Sequence, residues 1–253
     1  LHDVDLREEE YFLGFFLVGA YQDTLGMKHN LFSSPSQVNV ILPDTEILLK
    51  VLGKSILIVP VVVIEDINHA VKLAKVLYEV GFVAIEVTLR TSCALRAIEE
   101  IVKNVPEIIV GAGSVRKVEQ LSEVGNLGVH FVVSPGSTQR LIAEAKRIEM
   151  PFVPGAATPS EMLNLYEHGY KLQKFFPAEQ LGGIAMLRAL SAPLPEIEFF
   201  PTGGLTTALA NEYLKLVNVN CVGGSWFIPN NLLENKCFDK IGELAAAALN
   251  DVS

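Results

Sequence analysis

From about Ser55 onward, short apolar runs rich in Val, Ile and Phe alternate with amphipathic stretches, the pattern of repeated βα units. Eight runs read as strands: 56–63, 83–89, 108–114, 131–136, 152–157, 172–178, 198–204 and 220–226. Between the first two, Ala70, Val71, Leu73, Ala74, Val76 and Leu77 recur at helical spacing, and Gly81 stands where a helix would stop. A doubly wound sheet also alternates β with α, but eight units of even, compact length favour closure. The fold expected is therefore α/β, a (β/α)8 TIM barrel. Several strands end on glycine or proline turns, at Gly113–Ser114, Ser134–Pro135–Gly136, Pro154–Gly155 and Gly203–Gly204. In such barrels the active site sits at the C-terminal strand ends, so chemistry is sought there.

The first 45 residues break this rhythm and end in a polar stretch with Pro35 and Pro43, which sets residues 1–45 apart as an N-terminal extension to a barrel domain of 46–253. A chain of 253 residues, half of them apolar, suits one such barrel core. A formal charge of −9 offers no basic footprint for nucleic acid, so any anion must be met by a local pocket. Cys93, Cys221 and Cys237 have neither zinc-site nor disulfide spacing, which fits a reducing cytoplasm. The five histidines form no H-x-x-x-H pair, and no metal is expected. The apolar run from Phe12 to Ala20 has neither the basic flank of a signal peptide nor the length of a membrane span. The first residue is Leu rather than Met, as expected of a fragment or a processed product.

Strand 83–89 sorts its side chains into two faces. Val83, Ile85, Val87 and Leu89 are expected to pack on outer helices, whereas Ala84, Glu86, Thr88 and Arg90 point inward. An inward carboxylate and guanidinium are costly unless paired or used, so the choice lies between a Glu86–Arg90 ion pair and an acid–base group beside an anion clamp. On strand 172–178, Leu172, Lys174 and Phe176 share the inward face. A lysine between apolar neighbours is a nucleophile candidate once a nearby cation and desolvation favour its free amine, and Arg90 is the candidate cation. The alternative is a lysine that snorkels at the strand end. Gln173 falls on the helix-facing side, where an apolar residue is expected. Two glycine turns, Pro201-Thr-Gly-Gly204 and Gly223-Gly-Ser-Trp226, follow the last two strands, where barrels commonly bind phosphate through backbone N–H groups. Tight turns without a ligand are the alternative.

Taken together, Glu86-Val-Thr-Leu-Arg90-Thr91, Val110-Gly-Ala-Gly-Ser114, Ser134-Pro-Gly136, Lys174-Phe-Phe-Pro-Ala-Glu179 and the two glycine turns resemble the keto-deoxy-phosphogluconate aldolase family over residues 50 to 250. The resemblance implies cleavage of 2-keto-3-deoxy-6-phosphogluconate to pyruvate and glyceraldehyde 3-phosphate, often with 4-hydroxy-2-oxoglutarate as a second substrate. It makes Lys174 the Schiff-base residue and Glu86 the proton carrier. Arg90 and Ser114 are expected on the pyruvate carboxylate, with substrate contacts from Pro135, Phe176 and Thr202. The phosphate is expected at Gly203, Gly204, Gly224 and Ser225. No cofactor is implied, and the assembly implied is a homotrimer. Ser114 stands where the family more often has Thr, and Ser137 where it commonly has an apolar residue. Two alternatives stay open: an enzyme acting mainly on 4-hydroxy-2-oxoglutarate, and a barrel that binds a phosphorylated ligand without chemistry. Within the extension, Phe16-Leu-Val-Gly-Ala-Tyr21 and His29-Asn-Leu-Phe32 resemble the C-terminal part of biosynthetic arginine decarboxylases. The pyridoxal lysine and most of that protein are missing, so the segment reads as a remnant without its cofactor.

Overall fold

The computed structural model describes residues 58–252. The extension 1–45 and the first two positions of the expected first strand lie outside them. The chain alternates parallel strands with helices: β1 (Ile58–Val62), α1 (Ala70–Glu79), β2 (Ala84–Thr88), α2 (Ala94–Asn104), β3 (Ile109–Gly113), α3 (Val118–Asn126), β4 (Phe131–Val133), α4 (Gln139–Arg147), β5 (Phe152–Val153), β6 (Gly155–Ala156), α5 (Pro159–Glu167), β7 (Leu172–Phe175), α6 (Gly183–Leu190), β8 (Glu198–Pro201), α7 (Thr207–Leu214), β9 (Val222–Gly224), α8 (Asn230–Glu234) and α9 (Phe238–Asn250). Each expected strand is present, and those after the first are shorter than expected, with Ser114, Gly136, Gly203 and Gly204 among the residues outside the strands. The run 152–157 is two strands rather than one: β5 pairs with β4 and β6 pairs with β7, on either side of Pro154, which has no N–H to give.

The strands form a curled six-stranded parallel sheet in the order β5-β4-β3-β2-β1-β9 and a three-stranded parallel sheet, β6-β7-β8. Parallel bridges Phe199–Val219 and Thr202–Gly223 link the second sheet to the segment around β9.

Strand alternation divides the core into two layers. Ile58, Ile85, Val87, Val110, Val132, Phe152, Phe175, Phe199 and Val222 pack with the apolar stripes of the helices. The alternate positions Val59, Ala84, Phe131, Val133, Val153, Leu172, Phe200 and Cys221 form a second cluster, which draws on both sheets. Those residues share one interior. Val83 departs from the expected outer face: it precedes β2 and is exposed.

Helix ends follow local chemistry. α1 buries Ala70, Leu73, Ala74 and Leu77 and stops where Gly81 takes φ +110°. At the start of α5, Thr158 accepts from the Glu161 N–H while the Glu161 carboxylate accepts from the Thr158 N–H, with Pro159 opening the helix. Gln173, unexplained by the alternation, is buried against α5: its amide donates to the carbonyls of Met162 (2.9 Å) and Tyr170 (3.0 Å), partners that an apolar side chain would not supply.

Candidate active site

Glu86 lies in the middle of β2, one register step from Val61 on β1 and from Gly111 on β3. Lys174 lies on β7, paired with Gly155 and Phe200. The two residues are 88 positions apart and belong to different sheets, yet Lys174 Nζ donates to Glu86 Oε1 at 3.1 Å and Oε2 at 3.5 Å. Glu86 is fully buried and Lys174 only 4% exposed, so each charge is tolerated because the other is present. The rings of Phe176 and Phe200 stand 5.4 and 5.8 Å from Nζ and present their faces to the ammonium. Phe200 was not singled out from the sequence, although its alternation with Phe199 places it inward.

Arg90 is not buried in the interior, where the alternation had put it. It lies past the end of β2, is exposed, and its Nε donates to Ser114 Oγ at 3.0 Å. The Glu86–Arg90 ion pair is not formed: Glu86 pairs with Lys174, and the charge in contact with Lys174 is the Glu86 carboxylate. Ser114 takes φ +58°, a backbone region that non-glycine residues rarely occupy, and so turns its hydroxyl to Arg90 at the end of β3. The loop carrying Arg90 is tied to the end of β1: Thr88 Oγ1 donates to Val62 O at 3.0 Å and Thr91 Oγ1 to Ile64 O at 2.6 Å.

Gly113 is part of this site, and the motif reading left it without a role. A Cβ there would fall 2.7 Å from Glu86 Cγ and Cδ, inside any real contact distance, so only glycine leaves the carboxylate its seat. The Gly-Ala-Gly run in β3 was the sequence signal for that close approach. Pro135 approaches in the same way: its backbone carbonyl carbon and oxygen occupy the space a Gly155 side chain would need, beside the partner of Lys174. Ser137 donates to Gly155 O at 3.2 Å, which ties this loop to β6.

The two glycine turns are neighbours through the Thr202–Gly223 bridge. Gly203 and Gly204 have φ +104° and +80°, and Gly203 lies against the Phe176 ring. Gly224 is covered by the Trp226 indole, while Ser225 is exposed beside it. Thr202 Oγ1 is buried and makes no hydrogen bond among the described residues. Cys221 sits in the interior, where burial and the charges of Glu198 and Glu86 push its thiol up to about 12, far from a thiolate at neutral pH. Among the described residues no group of three or more His, Cys, Asp or Glu side chains is placed to hold a metal ion. A cleft of about 230 Å³ beside Asp66, His69 and Glu234 contains none of the residues expected in the site.

Comparison with known proteins places the chain among its relatives. The family model described as KDPG and KHG aldolase matches residues 50–244. The KHG/KDPG aldolase of Escherichia coli K12 is 45% identical over 192 residues, covering 76% of this chain and 90% of that protein. Among solved structures, the KDPG aldolase of Legionella pneumophila, with pyruvate captured as a covalent carbinolamine intermediate, has a TM-score of 0.76 and 38% identity over 82% of this chain and 98% of its own. The 2-keto-3-deoxy-6-phosphogluconate aldolase of Zymomonas mobilis with 3-phosphoglycerate has a TM-score of 0.74 and 36% identity, over 81% of this chain and 94% of its own. The chain belongs to the KDPG and KHG aldolase family.

Proposed function

We propose that this protein is a class I aldolase that cleaves 2-keto-3-deoxy-6-phosphogluconate to pyruvate and glyceraldehyde 3-phosphate through a Schiff base on Lys174. The observation that carries the reading is the buried contact between Lys174 and Glu86. A lysine at hydrogen-bond distance from a carboxylate can hand over its proton and attack the C2 ketone as a free amine. Loss of water from the carbinolamine leaves an iminium, an electron sink that performs the polarisation a metal would otherwise supply. Glu86, directly or through one water, then takes the proton from the C4 hydroxyl. The C3–C4 bond breaks, the aldehyde leaves, and the electron pair stays on the enamine of pyruvate. Glu86 returns a proton to C3, and hydrolysis frees pyruvate and the amine.

Arg90 and Ser114, already joined, would take the substrate carboxylate. Pro135, Phe176 and Thr202 would line the path of the chain, with the unpartnered Thr202 hydroxyl available to a substrate oxygen. The N–H groups around Gly203, Gly204, Gly224 and Ser225 would hold the phosphate and so orient C4 over the base. In this reading the two sheets are arcs of one (β/α)8 barrel. The joint at Pro154, the two bridges to the second sheet and the interior cluster fed by both sheets support it.

4-Hydroxy-2-oxoglutarate is the second substrate, and relative cleavage rates rank the two. A barrel that only binds ligand is disfavoured by the cost of burying two opposite charges that chemistry does not use. The assembly proposed is a homotrimer in the cytoplasm, the former read by sedimentation. Residues 1–45 are proposed to be a remnant without cofactor, and a chain starting at residue 46 is expected to keep full cleavage activity.

The test is borohydride reduction in the presence of pyruvate, followed by peptide mass mapping. An adduct on Lys174, absent from Lys174→Arg, supports the reading. An adduct that persists in Lys174→Arg would move the nucleophile elsewhere, to Lys171 first.

A further inference from the structure

Past Phe175 the chain bends through Pro177 and Ala178 into a 3-10 turn, Glu179–Leu181, that lies against the first glycine turn. Two backbone bonds fasten them: Ala178 N–H donates to Thr202 O at 2.9 Å and Glu179 N–H to Gly203 O at 3.4 Å. The Glu179 stem runs under Gly204, where an added Cβ would stand 3.0 Å from Glu179 Cγ and 3.1 Å from its Cβ. Its carboxylate runs on to Gly183 and Tyr213. There Oε1 accepts from the hydroxyl of Tyr213 at 2.5 Å. Tyr213 is fully buried on α7, the helix that starts just after the glycine turn. Gly183 leaves room for the bond, since a Cβ on it would lie 3.0 Å from Glu179 Oε1 and 3.1 Å from the Tyr213 hydroxyl. Burial, then the hydrogen bond and charge of Glu179, push the Tyr213 hydroxyl well above the usual phenol range, so it remains a donor at any working pH.

A carboxylate is thus built into the support of the turn that, on the reading above, receives a phosphate dianion. Like charges near one another oppose binding unless one is directed away. We propose that Tyr213 and Glu179 are positioning residues that set selectivity for the phosphorylated substrate: the hydroxyl draws the Glu179 charge to the far side of Gly204, while the Glu179 stem and N–H hold the turn open to the anion. This inference rests on the phosphate assignment of the preceding section.

The test is steady-state kinetics of the full chain on 2-keto-3-deoxy-6-phosphogluconate and on unphosphorylated 2-keto-3-deoxygluconate. Tyr213→Phe removes one oxygen and releases the carboxylate. It is expected to raise KM for the phosphorylated substrate by about 5-fold or more, with kcat and the unphosphorylated KM held within about 2-fold. Glu179→Gln keeps an acceptor for Tyr213 and removes the residual like charge, so its phosphorylated KM is expected to fall by about 2-fold. The double variant is expected to recover most of what Tyr213→Phe loses. Equal losses on both substrates in Tyr213→Phe, an unchanged or raised phosphorylated KM in Glu179→Gln, or no recovery in the double variant would each overturn the inference and leave the pair a packing contact. Should Tyr213→Phe fail to fold, Glu179→Gln decides the matter, because an unchanged or raised phosphorylated KM overturns the inference. Ser225→Ala is the separate arm for the phosphate assignment. If it does not change the preference between the two substrates, the phosphate lies elsewhere and this inference falls with it. If Ser225→Ala changes that preference and Tyr213→Phe does not, this inference alone falls.

Discussion

Replacing Glu86 with glutamine keeps the shape of the side chain and removes the charge that Lys174 faces across 3.1 Å. At an effective dielectric of about 20, two unit charges at that distance attract by about 5 kcal/mol, much of which offsets the cost of taking both out of water. The variant keeps the desolvation of Lys174 and loses the attraction. Breaking one side of a buried pair costs about 3 to 5 kcal/mol, and the amide oxygen that still accepts from Nζ places this case near the lower figure. For a folded unit of this size a loss of about 3 kcal/mol lowers Tm by roughly 6 to 12 °C. Cleavage should fall by about 10²-fold or more, because an amide accepts no proton. Trapping with pyruvate and borohydride should persist, because the amine is still there. The assays are thermal melts, aldehyde release and adduct mass on one preparation. Glu86→Gln combined with Lys174→Met removes both charges and should be more stable than the sum of the single variants by about 2 kcal/mol. Single variants within about 0.5 kcal/mol of the parent would show that the buried pair does not contribute as calculated. Undiminished cleavage in Glu86→Gln would reject it as the base and send the proton by another route.

Gly113→Ala should cut cleavage severely although Gly113 touches no substrate in the proposed mechanism, since the new methyl displaces the Glu86 carboxylate and overpacking costs about 1 to 3 kcal/mol; normal kinetics would show that the seat can relax. Glu161, whose carboxyl is held below its usual range first by the Ala157 N–H and then by Thr158, contributes stability that is present above the unfolded-state value and disappears as pH falls through the folded one. Glu161→Gln should therefore lower Tm at pH 7 and much less at pH 3, and an equal loss at both would contradict the cap. Native-state alkylation at pH 8 should label exposed Cys237 and spare Cys221 until the chain unfolds, which peptide mapping reads directly.

Alternation along the chain was enough to locate the βα units and to assign inward positions on β2 and β7, because side chains in a strand change face at every residue whatever the strand packs against. Glu86 and Lys174 were legible for that reason: a charged residue at an inward position has few structural explanations. Gly81 belongs to the same class, since the backbone geometry that ends a helix is fixed within a few residues of sequence. What pairs with what was not legible. Glu86 meets Lys174 rather than Arg90 because β2 and β7 face one interior from different sheets, a relation that no spacing within β2 encodes. Arg90 leaves that interior because β2 has already ended and Ser114 waits at the end of the neighbouring strand. Gln173 contradicted its own strand's pattern until Met162 on α5 and Tyr170 just after it supplied carbonyls. The seat at Gly113 and the bond between Glu179 and Tyr213 exist only where separate segments come within contact distance. Local sequence fixes the face on which a residue lies, through backbone periodicity. Which residue stands opposite is decided by sheet register and curvature, which depend on the packing of the whole chain.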